Sequence, residues 1–162
     1  MNDLLADEIR REGAILGRIV QYCTEEVVRQ RADPDAVRWM LGAWLAALKA
    51  FRRAPLGALL ESRQIESLGR LLEPTKNATG YRDCDVRVGS RLCPAHDQVR
   101  SLMETFCAEM GKMTPEEAYH RFELLHPFRD ANGRAGKIIY NWLRGTLDNP
   151  TMPPNFFGVA NP

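Results

Sequence analysis

Twelve consecutive residues, His126-Pro127-Phe128-Arg129-Asp130-Ala131-Asn132-Gly133-Arg134-Ala135-Gly136-Lys137, bring together a base, a carboxylate, an amide, a glycine and an arginine. His126 is the side chain of this run that changes protonation near neutral pH, so it is the natural group to take a proton from a hydroxyl. Asp130 is a hard oxygen ligand suited to Mg²⁺, which prefers one or two carboxylates completed by substrate phosphates. Asn132 can donate an N–H to a phosphate oxygen, and Gly133 permits close backbone approach and unusual dihedrals. Arg134 offers a planar fork to a phosphate. A helix starting directly after the loop would aim its unpaired N–H groups, and the positive end of its dipole, at an anion held there. Together these groups would position a polyphosphate and stabilise its developing charge. Taken singly, each has a plainer role: a histidine on a helix dipole, an aspartate cap, an Asn-Gly turn, a solvated arginine. Phe128 reads as structure, an aromatic that pins the loop to the core.

The elements that must hold this loop are helical. From Asp3 to about Arg29, Leu5, Ile9, Ile15, Ile19, Val20, Cys23 and Val27 recur at three- and four-residue steps, which predicts a long amphipathic helix. Asp33 as N-cap and Pro34 in the first helical position predict a restart. The second helix, from Ala36 to about Phe51, is apolar around much of its circumference and is expected at the centre of the core. A third, about Leu59 to Leu72, ends before Pro74. The period then changes: Cys84 to Val88 alternates residue by residue, the one β signal in the chain. Helical spacing resumes after Pro94. Thr114-Pro115-Glu116-Glu117 opens a further helix with a capping box, and that helix delivers His126 at its end. Ile138, Ile139, Trp142, Leu143 and Leu147 mark the last helix, stopped by Asn149-Pro150 ahead of an irregular Pro/Asn-rich tail, 149–162.

Composition bounds the partners. At 162 residues the chain is expected to form a single domain, 1–162, with one active site. Its 22 Lys+Arg against 21 Asp+Glu give a net charge of +1, with no basic stripe, which argues against nucleic-acid or membrane-surface binding. A start without a basic region and apolar run, and the lack of any stretch long enough to span a bilayer, make a cytoplasmic protein the expectation, in a bacterium or delivered by one or by a phage. Cys23, Cys84, Cys93 and Cys107 are irregularly spaced and read as reduced thiols; Cys84, Cys93 and His96 lack the paired spacing of a zinc site.

The loop resembles the signature of the Fic (Fic/Doc) family, His-Pro-Phe-x-Asp/Glu-Gly/Ala-Asn-Gly-Arg-x-x-Arg, matching it everywhere except at Lys137. The resemblance covers roughly 65–147 and leaves 1–60 as helices without a motif. It implies a mostly α fold, a helical bundle with a small β-hairpin flap at about 80–93 beside the signature loop 126–137. It implies transfer of AMP from Mg·ATP to a Ser, Thr or Tyr hydroxyl of a target protein. His126 would be the base, Asp130 the Mg²⁺ ligand, Asn132 and Gly133 part of the anion-binding loop, and Arg134 the phosphate clamp. Lys137, where the family has an arginine on the γ-phosphate, keeps the charge and loses the fork. Tyr81, Val86, Arg87 and Val88 would belong to the flap that docks an extended target segment by strand pairing. The Doc branch carries lysine where this chain has Gly133, which places the chain on the nucleotidyl-transfer side. Autoinhibited members bring a glutamate from a Ser/Thr-x-x-x-Glu-Gly/Asn helix to the last arginine. Glu12-Gly13 has that ending with Glu8 in place of Ser or Thr, so Glu12 is the candidate inhibitory residue. The main expectation is a chain with no brake of its own, similar to Fic toxins held by a separate small antitoxin. The alternatives are another donor, UTP or a phosphocholine-bearing nucleotide, and a catalytically silent Fic-fold module that uses the flap to hold a partner.

Overall fold

The apolar periodicity of the first thirty residues does form one helix. In a computed structural model, which describes Asn2–Asn155, α1 (Asn2–Arg29) turns Ile15, Ile19, Tyr22, Cys23 and Val27 inward. Two residues past its end, Arg31 at φ 51° reverses the chain. The next helix begins slightly later than the Asp33-Pro34 signal suggested. Asp33 closes a turn instead, its side chain accepting the Asp35 N–H (2.8 Å) and its carbonyl the Ala36 N–H (2.8 Å). α2 (Ala36–Arg53) then buries Met40, Ala43, Trp44, Ala47 and Leu48 along one face. α3 (Ser62–Leu72) starts where Gln64 reaches back to accept the Glu61 N–H (2.8 Å).

α4 (Val99–Glu109) follows a single 3-10 turn, and α5 (Pro115–Leu125) opens with the expected capping box: Thr114 Oγ1 accepts the Glu117 N–H (3.1 Å) and Glu117 accepts the Thr114 N–H (2.8 Å). α6 (Asn132–Arg144) is enclosed on all sides, with every residue from Arg134 to Trp142 buried. It packs on α5, α2 and α3, while α1 lies on α2 and α4 on α5. The most enclosed helix is therefore α6, not α2, because it is the one that neighbours cover on three sides. Trp44 Nε1 donates to the Leu147 carbonyl (2.8 Å), and Asn141 binds both the N–H (2.8 Å) and the carbonyl (3.0 Å) of Thr151. These bonds fold the start of the irregular tail back onto α2 and α6; residues 156–162 of that tail lie outside the described residues. Among the described residues no helix is long and apolar enough to cross a membrane.

The β element is shorter than its alternation suggested. β1 (Arg87–Val88) pairs antiparallel with β2 (Arg91–Leu92), Arg87 opposite Leu92, around a turn with Gly89 at φ 58°. Upstream, polar side chains take over from the ladder: Asp83 is bound by Arg129, and Asp85 accepts the His96 N–H (2.8 Å). Tyr81 belongs to the core and not to a docking edge. It is 5% exposed, its hydroxyl donates to the Ser62 carbonyl (2.7 Å), and its ring lies 5.4 Å from that of Phe128.

Phe128 is fully buried and fills a notch made by Gly69 of α3; a Cβ at Gly69 would stand 2.2 Å from the ring. Gly42, in the middle of α2, has open space around it. The same substitution should thus have opposite signs. Gly69→Ala is expected to destabilise by about 1–3 kcal/mol through overpacking, and Gly42→Ala to stabilise by about 0.5–1 kcal/mol through helix propensity. Urea unfolding of the two variants measures both; a neutral Gly69→Ala would disprove the notch.

Candidate active site

Three buried polar groups fix the loop between α5 and α6. Asn132 accepts the Phe128 N–H (2.9 Å) on Oδ1 and donates to the Phe128 carbonyl (2.9 Å), closing the loop on itself. Asn77 ties it to α3, donating to both the Gly69 carbonyl (3.1 Å) and the Asp130 carbonyl (2.9 Å). Arg82 donates to the carbonyls of His126 (2.8 Å), Cys84 (3.0 Å) and Pro94 (2.5 Å), and its own N–H donates to Pro127 (2.9 Å). Loop and hairpin are thereby one unit. Asn132 thus braces the loop with Oδ1 and one N–H of its amide, while it also lines the cavity beside His126.

His126 caps α5 in a left-handed conformation, φ 48° and ψ 60°. Its ring lines a cavity of about 310 Å³ together with Gln30, Val88, Glu123, Asp130 and Gly133. Nδ1 is buried without a hydrogen-bond partner. Burial, reinforced by the charge of Arg91, pushes its pKa down to about 4, so at neutral pH the ring carries no charge. Glu123, one helical turn earlier, is buried in the same wall with Oε1 unpartnered. Burial raises its pKa to about 7, against the pull of Lys137.

Asp130 stands between this cavity and a second of about 310 Å³ that is lined by Arg31, Asp33, Trp39, Glu73, Lys76 and Arg134. Burial opposes its charge, but Lys76 (2.5 Å), the Ala131 N–H (2.6 Å) and Arg134 outweigh it and hold the carboxyl below its ordinary range. An ionised carboxylate open to two cavities fits magnesium that takes its remaining oxygens from a substrate. Arg134 is 3% exposed. It donates to the Leu72 carbonyl (3.3 Å) and stands 3.6 Å from Asp130, and its Nε is buried without a partner. Most of its donors are therefore unspent, as an anion clamp requires. Gly133 is not needed for an unusual dihedral, since the left-handed positions are His126 and Ala131 (φ 65°). It is needed for close approach: a Cβ there would stand 2.6 Å from Gln30 Nε2.

Lys137 does not face either cavity. Its ammonium is buried and bound to Glu26 of α1 at 2.6 Å, where Glu26 also accepts from Gln30 (2.5 Å) and Arg29. Glu26 and Gln30 thus close the α1 side of the loop. Glu12 is fourteen residues, about 21 Å, along the same helix, and pairs with Arg52 on the surface; the structure does not bring it to the loop. The sequence signal for Glu26 was its place in the apolar period Ile15, Ile19, Tyr22, where a charge needs a buried partner. Glu123 breaks the face of α5 in the same way. Nothing in the local sequence marked Asn77, Lys76 or Arg82.

Of the hairpin residues, Val88 is 41% exposed and reaches the His126 cavity, Arg87 is exposed, and Val86 is half-buried with its carbonyl accepting the Cys93 N–H (3.1 Å).

A helical bundle whose central helix begins at a braced, anion-ready loop, with a neutral histidine facing it and a hairpin beside it, defines the Fic class of fold. The Fic/DOC family model matches residues 59–143, just over half of the chain, and the chain belongs to that family. No curated protein matches it. Members of the family usually transfer nucleotide-derived groups to proteins.

The titrations of His126 and Glu123 are displaced with opposite effects on stability. His126, lowered from 6.5 to about 4, binds fewer protons folded than unfolded in that window, so its contribution to stability falls as pH drops from 6.5 towards 4. Glu123, raised from 4.5 to about 7, contributes stability below 4.5 that is lost as pH rises through 7. Glu123→Gln should therefore make unfolding free energy climb more steeply with pH between 4.5 and 7 than in the wild type. Equal slopes would show that Glu123 titrates normally.

Proposed function

We propose that the protein is an adenylyltransferase that moves AMP from Mg·ATP to a Ser, Thr or Tyr hydroxyl of a target protein. The observations that carry this reading are a neutral His126 in one cavity and the unspent donors of Arg134 in the next, with Asp130 lining both. The target hydroxyl loses its proton to the His126 ring as its oxygen bonds to the α-phosphorus. The bond from that phosphorus to the bridging oxygen breaks, and pyrophosphate leaves. Arg134 and the backbone N–H groups at the start of α6 hold the phosphate oxygens whose charge grows in that step. Magnesium, held by Asp130 and phosphate oxygens, would supply further positive charge there. The Arg87–Val88 strand is the edge along which an extended target segment would pair.

The position of Lys137 shapes the rest of the reading. In this reading a terminal phosphate that reaches Lys137 competes there with Glu26 of α1, and a separate small antitoxin that restrains the enzyme stays part of the proposal. A donor without a third phosphate, such as a phosphocholine-bearing nucleotide, would leave the Lys137–Glu26 pair intact; that is the second reading.

His126→Ala should lower transfer to target or to itself by about 10²–10⁴-fold while Mg·ATP affinity stays within twofold. Transfer at the wild-type rate would remove His126 from the chemistry. Glu26→Gln should cost the free protein about 3–5 kcal/mol, because it strands a buried ammonium. Mg·ATP should then raise the melting temperature of Glu26→Gln more than that of the wild type, with faster self-modification. Equal shifts with ATP, or a larger shift with a diphosphate, would favour the donor without a third phosphate.

A further inference from the structure

α1 is 28 residues long and α2, its antiparallel neighbour, is 18. At 1.5 Å per residue the first helix overruns the second by about 15 Å. The Glu12–Arg52 pair marks where α2 ends against it. From Asp3 to Ala14 no residue of α1 is buried, and Leu4, Leu5 and Ile9 are 77%, 59% and 64% exposed. A dozen residues of helix without tertiary contact are marginal in water, and an apolar overhang of this kind needs a cover.

The cover is legible in the spacing. Leu5, Ile9, Leu16 and Val20 lie on one face of α1, at steps of four, seven and four residues, and all four are exposed. Leu5 and Val20, and likewise Ile9 and Leu16, are symmetric about the Glu12–Gly13 peptide. Such a stripe is complementary to its own antiparallel copy, as a two-fold interface requires. At its midpoint Gly13 has nothing within 4 Å of a Cβ, which leaves room for two helices to approach closely. Beside Leu16 runs a groove of about 560 Å³ between α1 and α2, with Ile15, Ile19, Leu45 and Leu48 in its floor and Lys49 and Arg53 on its rim. The overhang carries Asp3, Asp7 and Glu8. In the antiparallel pairing Glu8 of one copy comes level with Gly17 of the other, next to Lys49. Neither Glu8 nor Lys49 has an ion pair among the described residues.

We propose that the protein is a two-fold dimer in which the N-terminal overhang of α1 from each copy lies antiparallel in the α1–α2 groove of the other. Leu5 and Ile9 then cover Val20, Leu16 and Leu45, and Glu8 meets Lys49. Sedimentation equilibrium of the full chain at micromolar concentration should give twice the monomer mass. Leu5→Asp combined with Ile9→Asp should give a monomer whose near-UV circular dichroism, set by the buried aromatics, is unchanged, because both side chains are exposed in the single chain. Glu8→Lys and Lys49→Glu should each raise the dissociation constant by more than about tenfold, and the two together should restore it. Gly13→Leu, whose Cβ meets nothing within 4 Å in one copy, should also weaken the dimer, and this keeps the proposal testable if the aspartate variant unfolds. A wild-type monomer, or a dimer indifferent to Gly13→Leu and to both charge reversals, would overturn it.

Discussion

The site depends on one packing contact, Phe128 in the notch at Gly69. A loop carrying a base, a carboxylate and an arginine has every reason to stay solvated and mobile, since its polar groups gain little from one another in water. Burying Phe128 fixes the middle of the loop against α3 and the Tyr81 ring. Once the position is fixed, the backbone groups around it must find partners, and Asn132, Asn77 and Arg82 supply them. Each of these side chains bonds to main chain, so the scaffold constrains the loop without using up the side chains that face the cavities. His126 and Arg134 keep unpartnered nitrogens because the work of holding them falls on residues behind them.

The electrostatics follow from how much charge the fold encloses. Glu26, Glu123 and Lys137 are buried close together, two carboxyls to one ammonium. Glu26 holds the direct contact with Lys137, and the raised pKa of Glu123 is the response of the unpaired carboxyl. A bound anion would alter this balance, since it would compete with Glu26 for the same ammonium. α1 is thus part of the site although it lies outside the matched family region.

Helix positions were legible because each helix has one apolar face of helical period and clear ends, as in the capping box at Thr114. The loop was legible because its residue types are unusual in combination. What stayed hidden were roles set by distant partners. Asn132 read as a phosphate donor, and its additional role as a brace on Phe128 appears only when the loop closes. Tyr81 sat next to an alternating stretch, and its burial depends on Phe128, nearly fifty residues away. Glu12 had a suggestive neighbour in Gly13, yet a helix carries fourteen residues over about 21 Å, which puts Glu12 beyond reach of Lys137.

Ala131 adopts φ 65° where a glycine would be unstrained, and its methyl is buried in the core cluster. A left-handed alanine costs about 1–2 kcal/mol, while a glycine would give the loop more ways to be wrong before folding and around the folded state. The chain has exchanged a fixed enthalpic strain for a narrower distribution of backbone shapes. On the proposed function, a loop so restricted would meet a phosphate with its backbone already ordered, and little ordering would be left for the ligand to impose.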